Sequence, residues 1–392
     1  MRYTGDVSKT VTIKRPFDSH VHLRRGATLR AVTKYTAERF WGAIVMPNTE
    51  PPIDTVEQAA EYKKEILSAL PNHSSILQNT RIDTAVGFEP LMTLYLTKDL
   101  TASVIEKIAV DKEKLIYGVK YYPWGYSINS QWGPRDASDA SPVLHAMEET
   151  GLPLLLHSEV HLNAENYEED PYDGEKLFLK DTLPRLMDKY PRLKISLEHM
   201  SSKLGADFME ENGKEGKLVA TITPHHLVYD RTDAFRTGYR ALLNCKPLIK
   251  RTEDKNAIRE LVKKGLPFIS AGTDSAPHPE SRKFSSCCVY GAFNAPVALE
   301  LYTQVFDELG CLDKLEEFLS VNGPRFFGLK PAEDTITLVK EDWQVTEPVV
   351  TEEGVKIWSV CDKTHGLGNE TIRWRIADRL QVPMSNPSAR RK

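Results

Sequence analysis

Several short segments place groups capable of chemistry directly after apolar runs. In Phe17-Asp18-Ser19-His20-Val21-His22 the alternation puts His20 and His22 on the same side of an extended strand, where both imidazoles reach one metal ion. Such a pair is weak by itself, because surface His-x-His pairs are common. Leu154-Leu155-Leu156-His157 and Leu197-Glu198-His199 each end an apolar run in a further imidazole. Either one alone reads as a core histidine satisfied by backbone groups. Four imidazoles at the same ends of three strands point instead to a shared site. Ala271-Gly272-Thr273-Asp274 ends in a carboxylate that can coordinate a cation through one oxygen and accept a proton with the other. It could equally cap the next segment. Gly118-Val119-Lys120 puts a lysine in an apolar strand end, which is costly unless the amine is paired or modified. A plain ammonium would repel metals, and a buried salt bridge and a modification both answer the cost.

The elements that must position these groups follow from period and punctuation. Eight β-rich apolar runs occur: VTIKRPFDSHVHL, GAIVMPN, TAVGFEP, LIYGVKYYP, LPLLLHSEV, LKISLEHM, LVATITPHHL and PFISAGTDS. Helical patterns separate them, as in TVEQAAEYKKEILSAL, where Ala59, Tyr62, Ile66 and Ala69 recur at three and four residues. TASVIEKIAV, SPVLHAMEET, GEKLFLKDTLPRLMDKY and TEDKNAIRELVKKG are of the same kind. Runs such as Leu152 to Leu156 are apolar on both faces, as strands of a covered parallel sheet are. The alternation predicts an α/β fold, a (β/α)8 TIM-type barrel, with the candidate groups at the C-terminal strand ends where barrel enzymes place their chemistry. Neither GxGxxG nor GxxxxGK[ST] occurs, so dinucleotide and P-loop readings lack a motif. After residue 330, TITLVKEDWQVTEP and VKIWSV alternate like antiparallel strands. We therefore expect a barrel over 1–330, a small C-terminal β-rich appendage over 331–382 packed on it, and a mobile polar tail over 383–392.

At about 150 residues per domain, 392 residues suit two or three domains or one elaborated barrel, and the strand count favours the barrel. Lys and Arg number 51 against 55 Asp and Glu, a net charge of −4 that argues against a broad nucleic-acid surface. No apolar run approaches the roughly 20 residues needed to span a bilayer, and MRYTGDVSKT lacks an apolar signal core. The five cysteines (245, 287, 288, 311 and 361) are odd in number and lack a CxxC spacing, so a disulfide framework is not expected. These features predict a cytoplasmic, reducing-compartment protein without a membrane or nucleic-acid partner.

Seven segments, in order, carry a family resemblance: FDSHVHLRRG, VMPNTEPP, GVKYYP, LLLHSE, LEHMSS, AGTDSAPH and SSCCVYGAFNAP. Together they resemble the amidohydrolase superfamily of metal-dependent barrels, and more narrowly the dihydroorotases of single-function, class II type. The resemblance implies two Zn(2+) per chain. His20, His22 and Asp274 would hold one, His157 and His199 the other, and Lys120, carboxylated on its amine, would bridge them. It implies that Arg24 and Asn48 clamp a substrate carboxylate, with help from His278 and from the backbone near Leu248 and Tyr290. Tyr290 stands where bacterial relatives carry a small residue, so only its main chain enters this expectation. The implied reaction is reversible cyclisation of N-carbamoyl-L-aspartate to L-dihydroorotate plus water in pyrimidine (UMP) synthesis, with Asp274 carrying the proton. A homodimer is also implied.

One segment departs from the family pattern. Bacterial relatives carry a Thr-Thr pair in a mobile loop after the fourth strand, where this chain has Trp124-Gly125-Tyr126-Ser127-Ile128-Asn129-Ser130-Gln131-Trp132-Gly133. Ser127 keeps the first hydroxyl and is a candidate substrate contact; Ile128 cannot replace the second. His225 and His226 read either as support behind the ligands or as local packing. A dihydropyrimidinase- or hydantoinase-like activity is the main alternative, disfavoured because neutral cyclic diamides offer Arg24 and Asn48 no carboxylate. A non-catalytic scaffold is disfavoured by the complete ligand set.

Overall fold

The computed structural model describes residues 9–70, 87–163, 165–236, 238–362 and 371–377. A short strand, β1 (Thr10–Lys14), precedes eight strands that pair in parallel in chain order. These are β2 (Phe17–Val21), β3 (Gly42–Val45), β4 (Glu89–Tyr95), β5 (Ile116–Tyr121), β6 (Leu154–His157), β7 (Ile195–Glu198), β8 (Leu218–Ile222) and β9 (Ile269–Ala271). β2, β3, β6, β7, β8 and β9 are buried at every residue, as strands covered on both faces must be.

The ring closes between the last strand and the first. Asp274 donates its backbone N–H to His20 O at 2.8 Å, and His22 donates to Ser275 O at 3.0 Å. The Asp18 carboxylate accepts from the Thr273 amide at 2.8 Å and the Thr273 hydroxyl at 2.6 Å. Burial pushes Asp18 up to about 6 despite those bonds. The (β/α)8 expectation is met.

Helices fill the crossovers where the periodicity placed them. Val56–Ser68 starts at a reciprocal cap, Thr55 Oγ1 accepting from Gln58 N and Gln58 Oε1 from Thr55 N. Ser141–Thr150 ends at Gly151, whose φ of 73° a residue with a side chain adopts only at a cost. Helices Gly26–Arg39 and Ala298–Glu308 are joined by a buried two-pronged pair: Arg39 Nη2 lies 2.8 Å from Glu300 Oε1, and Arg39 Nε lies 3.1 Å from Oε2.

Two strand expectations need correction. VTIKRPFDSHVHL is two strands, broken at Arg15-Pro16. Pro16 offers no N–H to a ladder, and Arg15 turns inward to donate to Ala37 O and Phe40 O at 2.8 and 3.3 Å. TAVGFEP is displaced: the strand begins only at Glu89 and continues to Tyr95, because Pro90 to Tyr95 is the stretch buried throughout. Residues 84–86 of that run lie outside the described residues.

Beyond the barrel, β10 (Thr335–Trp343) is the centre of a three-stranded antiparallel sheet. β11 (Val349–Val350) pairs with β12 (Lys356–Ile357). β1 and β13 (Ile372–Ile376) flank β10, so the sheet takes its first strand from the N-terminal segment. Ile13, Ile336, Leu338 and Trp374 join the main barrel core. Residues 363–370 and 378–382 of the expected appendage, and the whole expected tail at 383–392, lie outside the described residues. All five cysteines are free, and among the described residues no helix is long and apolar enough to cross a membrane.

Candidate active site

The C-terminal end of the barrel gathers the candidate groups into one place. β2 delivers His20 and His22 with their Nε2 atoms 3.3 Å apart. Asp274, just past β9, puts Oδ1 3.3 Å from His20 Nε2 and 3.1 Å from His22 Nε2. His157 at the end of β6 and His199 just past β7 face each other, Nδ1 to Nε2, at 3.1 Å. The His20 and His199 rings, 5.1 Å apart, link the two groups. Lys120 on β5 is fully buried, and its Nζ has no hydrogen-bond partner among the described residues. Arg24, His199 and Asp274 all hold left-handed backbone, with φ of 63°, 45° and 45°. Such strain in non-glycine residues concentrates where side chains must be aimed.

Electrostatics keep most of these groups in the forms that bind cations. Burial pushes His22 down to about 4 and lowers His157; burial, with the neighbouring His157, holds His199 well below its ordinary value. Burial opposes the charge on His20, but Glu198 and Asp274 outweigh it and raise that imidazole. Burial would raise Asp274, yet hydrogen bonds from His20 and His22 hold it well below the carboxylate range. Desolvation brings the Lys120 amine down to about 8.

The site therefore gathers nitrogen and oxygen ligand atoms in one buried place. His20, His22 and Asp274 each aim a ligand atom into one small volume, and His199 Nδ1 and Lys120 Nζ are buried without hydrogen-bond partners among the described residues. Divalent cations fit this donor set.

Two carboxylates outside the sequence expectation orient the imidazoles. Glu198 Oε2 makes a short contact with His20 Nδ1, while its Oε1 accepts from Ser196 Oγ at 2.5 Å. Glu159 Oε2 lies 2.7 Å from His157 Nε2. Fixing one ring nitrogen sets which other nitrogen faces a ligand. The available signal was a carboxylate inside a buried run at Glu198, and one two residues beyond a candidate imidazole at Glu159.

A cavity of about 40 Å³ opens beside the cluster, with Arg24, Asn48, Ser127 and Tyr290 in its wall together with His22 and Asp274. Arg24 Nε donates to Pro277 O at 3.1 Å, and Arg24 Nη2 to His278 Nε2 at 2.7 Å. Burial, and then the Arg24 charge, push the His278 imidazole far down, which suits its role as acceptor. His278 thus reaches the cavity through Arg24, and half-buried Leu248 lies outside its wall. His225 and His226 are buried behind the site: His225 Nδ1 meets Asn294 Nδ2 at 3.1 Å, and His226 meets Thr223 Oγ1 and Pro247 O at 2.8 and 3.1 Å.

Comparison with known proteins settles the family. The chain is 40% identical over 348 residues to a dihydroorotase of Halorhodospira halophila, covering 87% of this chain and 95% of that one. It is 39% identical over 365 residues to a dihydroorotase of Hahella chejuensis, covering 93% and 98%. The chain belongs to the dihydroorotase family. Among solved structures, a dihydroorotase of Saccharomyces cerevisiae in complex with 5-fluoroorotic acid superposes with a TM-score of 0.81 at 30% identity, over 95% of this chain and 99% of that one. An L-hydantoinase of Arthrobacter aurescens, at 15% identity and a TM-score of 0.71 over 94% and 83%, shares the fold alone. No family profile matches the chain.

In this dihydroorotase-family barrel the Trp124–Gly133 loop lies over the cavity. Asn48 Nδ2 donates to Ile128 O at 3.1 Å, and Asn129 Nδ2 donates back to Asn48 O at 2.9 Å. Asn48 therefore carries the loop as well as facing the cavity. Ser127 Oγ is buried at the wall without a partner among the described residues.

Proposed function

We propose that the chain catalyses the reversible cyclisation of N-carbamoyl-L-aspartate to L-dihydroorotate and water, in the synthesis of UMP. One observation carries this reading beyond the family: a cation-binding cluster and an aimed guanidinium, Arg24, share the wall of a single small cavity. The substrate has a cyclic amide and a carboxylate, and the two features match those two groups.

His20, His22 and Asp274 would hold one zinc ion, and His157 and His199 a second. Lys120 would bridge them after its neutral amine adds to CO2, forming a carbamate and releasing one proton. The family's neutral-ring relatives leave the arginine nothing to bind. Zinc, when bound, supplies Lewis-acid polarisation of the ring amide and activation of water.

The remaining work falls to this chain's own side chains. Arg24, held at two edges by Pro277 O and His278 Nε2, fixes the carboxylate and so aligns the ring amide with the cluster. Asn48, Ser127 and the main chain at Tyr290 complete the cradle, with His278 acting through Arg24. Asp274 accepts the proton of the attacking water on Oδ and delivers it to the departing ring nitrogen. Homodimer formation accompanies this reading.

Turnover assays on L-dihydroorotate, dihydrouracil and hydantoin test the proposal. We expect turnover of L-dihydroorotate alone, whereas turnover confined to the neutral rings would overturn the assignment. Arg24→Lys keeps the charge but loses the planar fork. It should raise KM for L-dihydroorotate about tenfold with a smaller change in kcat. An unchanged KM in steady-state kinetics would remove Arg24 from the clamp.

A further inference from the structure

The loop over the cavity does more than cover it, because one of its side chains reaches the ligand set from behind. Tyr126 is buried at 7% exposure although it belongs to a surface connection. Its hydroxyl donates to Glu159 Oε1 at 3.2 Å. The other oxygen of that carboxylate, Oε2, holds His157 Nε2 at 2.7 Å, and His157 Nδ1 is the atom that faces His199. The Tyr126 ring stands edge-on to the His157 ring at 5.8 Å between centroids. Lys246 Nζ lies 3.8 Å from the same ring's centroid, a close cation–π contact in a desolvated place.

We propose that Tyr126 is a positioning residue that sets the ligand geometry of His157 through Glu159. With the loop in place, Tyr126 fixes the Glu159 carboxylate, which leaves its second oxygen to hold the imidazole with Nδ1 toward His199. Without the Tyr126 hydroxyl, Glu159 loses that donor and His157 loses one restraint on its ring. Lys246 supplies the force that seats the Tyr126 ring, independently of the backbone buttons at Asn48. The loop over the cavity thereby helps to hold the ion at His157. The inference rests on the zinc reading above.

The test uses the zinc-loaded full chain and measures release of zinc to a chromogenic chelator, alongside kcat and KM. Tyr126→Phe keeps the ring that contacts Lys246 and His157 and removes only the hydroxyl. We expect it to release the weaker-held zinc about tenfold faster, the size of effect typical for partners that orient metal-binding imidazoles. Glu159→Gln should be at least as fast, and the double variant no faster than Glu159→Gln alone, since Tyr126 acts through Glu159. Release at the wild-type rate in Tyr126→Phe would overturn the proposal and reduce the tyrosine to packing. So would effects that multiply in the double variant. A wild-type chain that retains no zinc would overturn the metal reading itself, and the two failures are told apart by zinc content measured before chelation.

Discussion

Lys120→Ala lowers kcat/KM by about a thousandfold or more while the barrel stays folded. The rate loss corresponds to roughly 4 kcal/mol of transition-state stabilisation, the scale expected when a cation pair loses its bridge. Folding survives because two effects oppose each other. Truncating the buried stem leaves a cavity that costs about 2–3 kcal/mol. Against that, the variant no longer buries an amine that lacks a hydrogen-bond partner among the described residues. Steady-state kinetics and a thermal unfolding curve check both halves together. Turnover within tenfold of wild type would remove Lys120 from the chemistry.

Asp274→Asn lowers kcat by about a hundredfold to ten-thousandfold, the range lost with a positioned general base. KM should change little, because the clamp at Arg24 is untouched. Asparagine has the same shape and tolerates the left-handed φ of 45° found at this position, so the loss is chemical rather than conformational. The amide cannot take a proton from water, and it would weaken the hold on the ion proposed at His20 and His22. A raised KM with kcat preserved would instead make Asp274 a substrate contact.

The candidate ligands were legible in the sequence because a parallel barrel places them plainly. His20, His22, His157 and His199 stand where apolar runs end, and a period of two aims the first pair. Lys120 was legible for the opposite reason, as a charge in a place that repels charge. Glu198 was harder, since its contact with His20 exists only once the closed barrel brings the ends of β2 and β7 together, whereas Glu159 lies two residues from its own partner, His157. The pairing of β1 with β10 joins residues over 300 positions apart, which no local pattern can report. The displaced strand at Glu89–Tyr95 failed for a local reason, the strong β propensity of TAVGF just before it. Left-handed backbone at Arg24, His199 and Asp274 was invisible, because none is glycine. Ser127 was singled out for its hydroxyl, yet the loop's bonds to Glu159 and Asn48 come from Tyr126, Ile128 and Asn129, which hydroxyl matching overlooks.

What occupies the end of the barrel decides the function, and a crystal structure of the zinc-loaded chain with L-dihydroorotate reads it directly. The expected result is anomalous scattering from two zinc ions, continuous density extending Lys120 Nζ by a carboxylate between them, and the substrate carboxylate on Arg24. An unmodified Lys120 beside a single ion, or a substrate bound with its carboxylate away from Arg24, would contradict it.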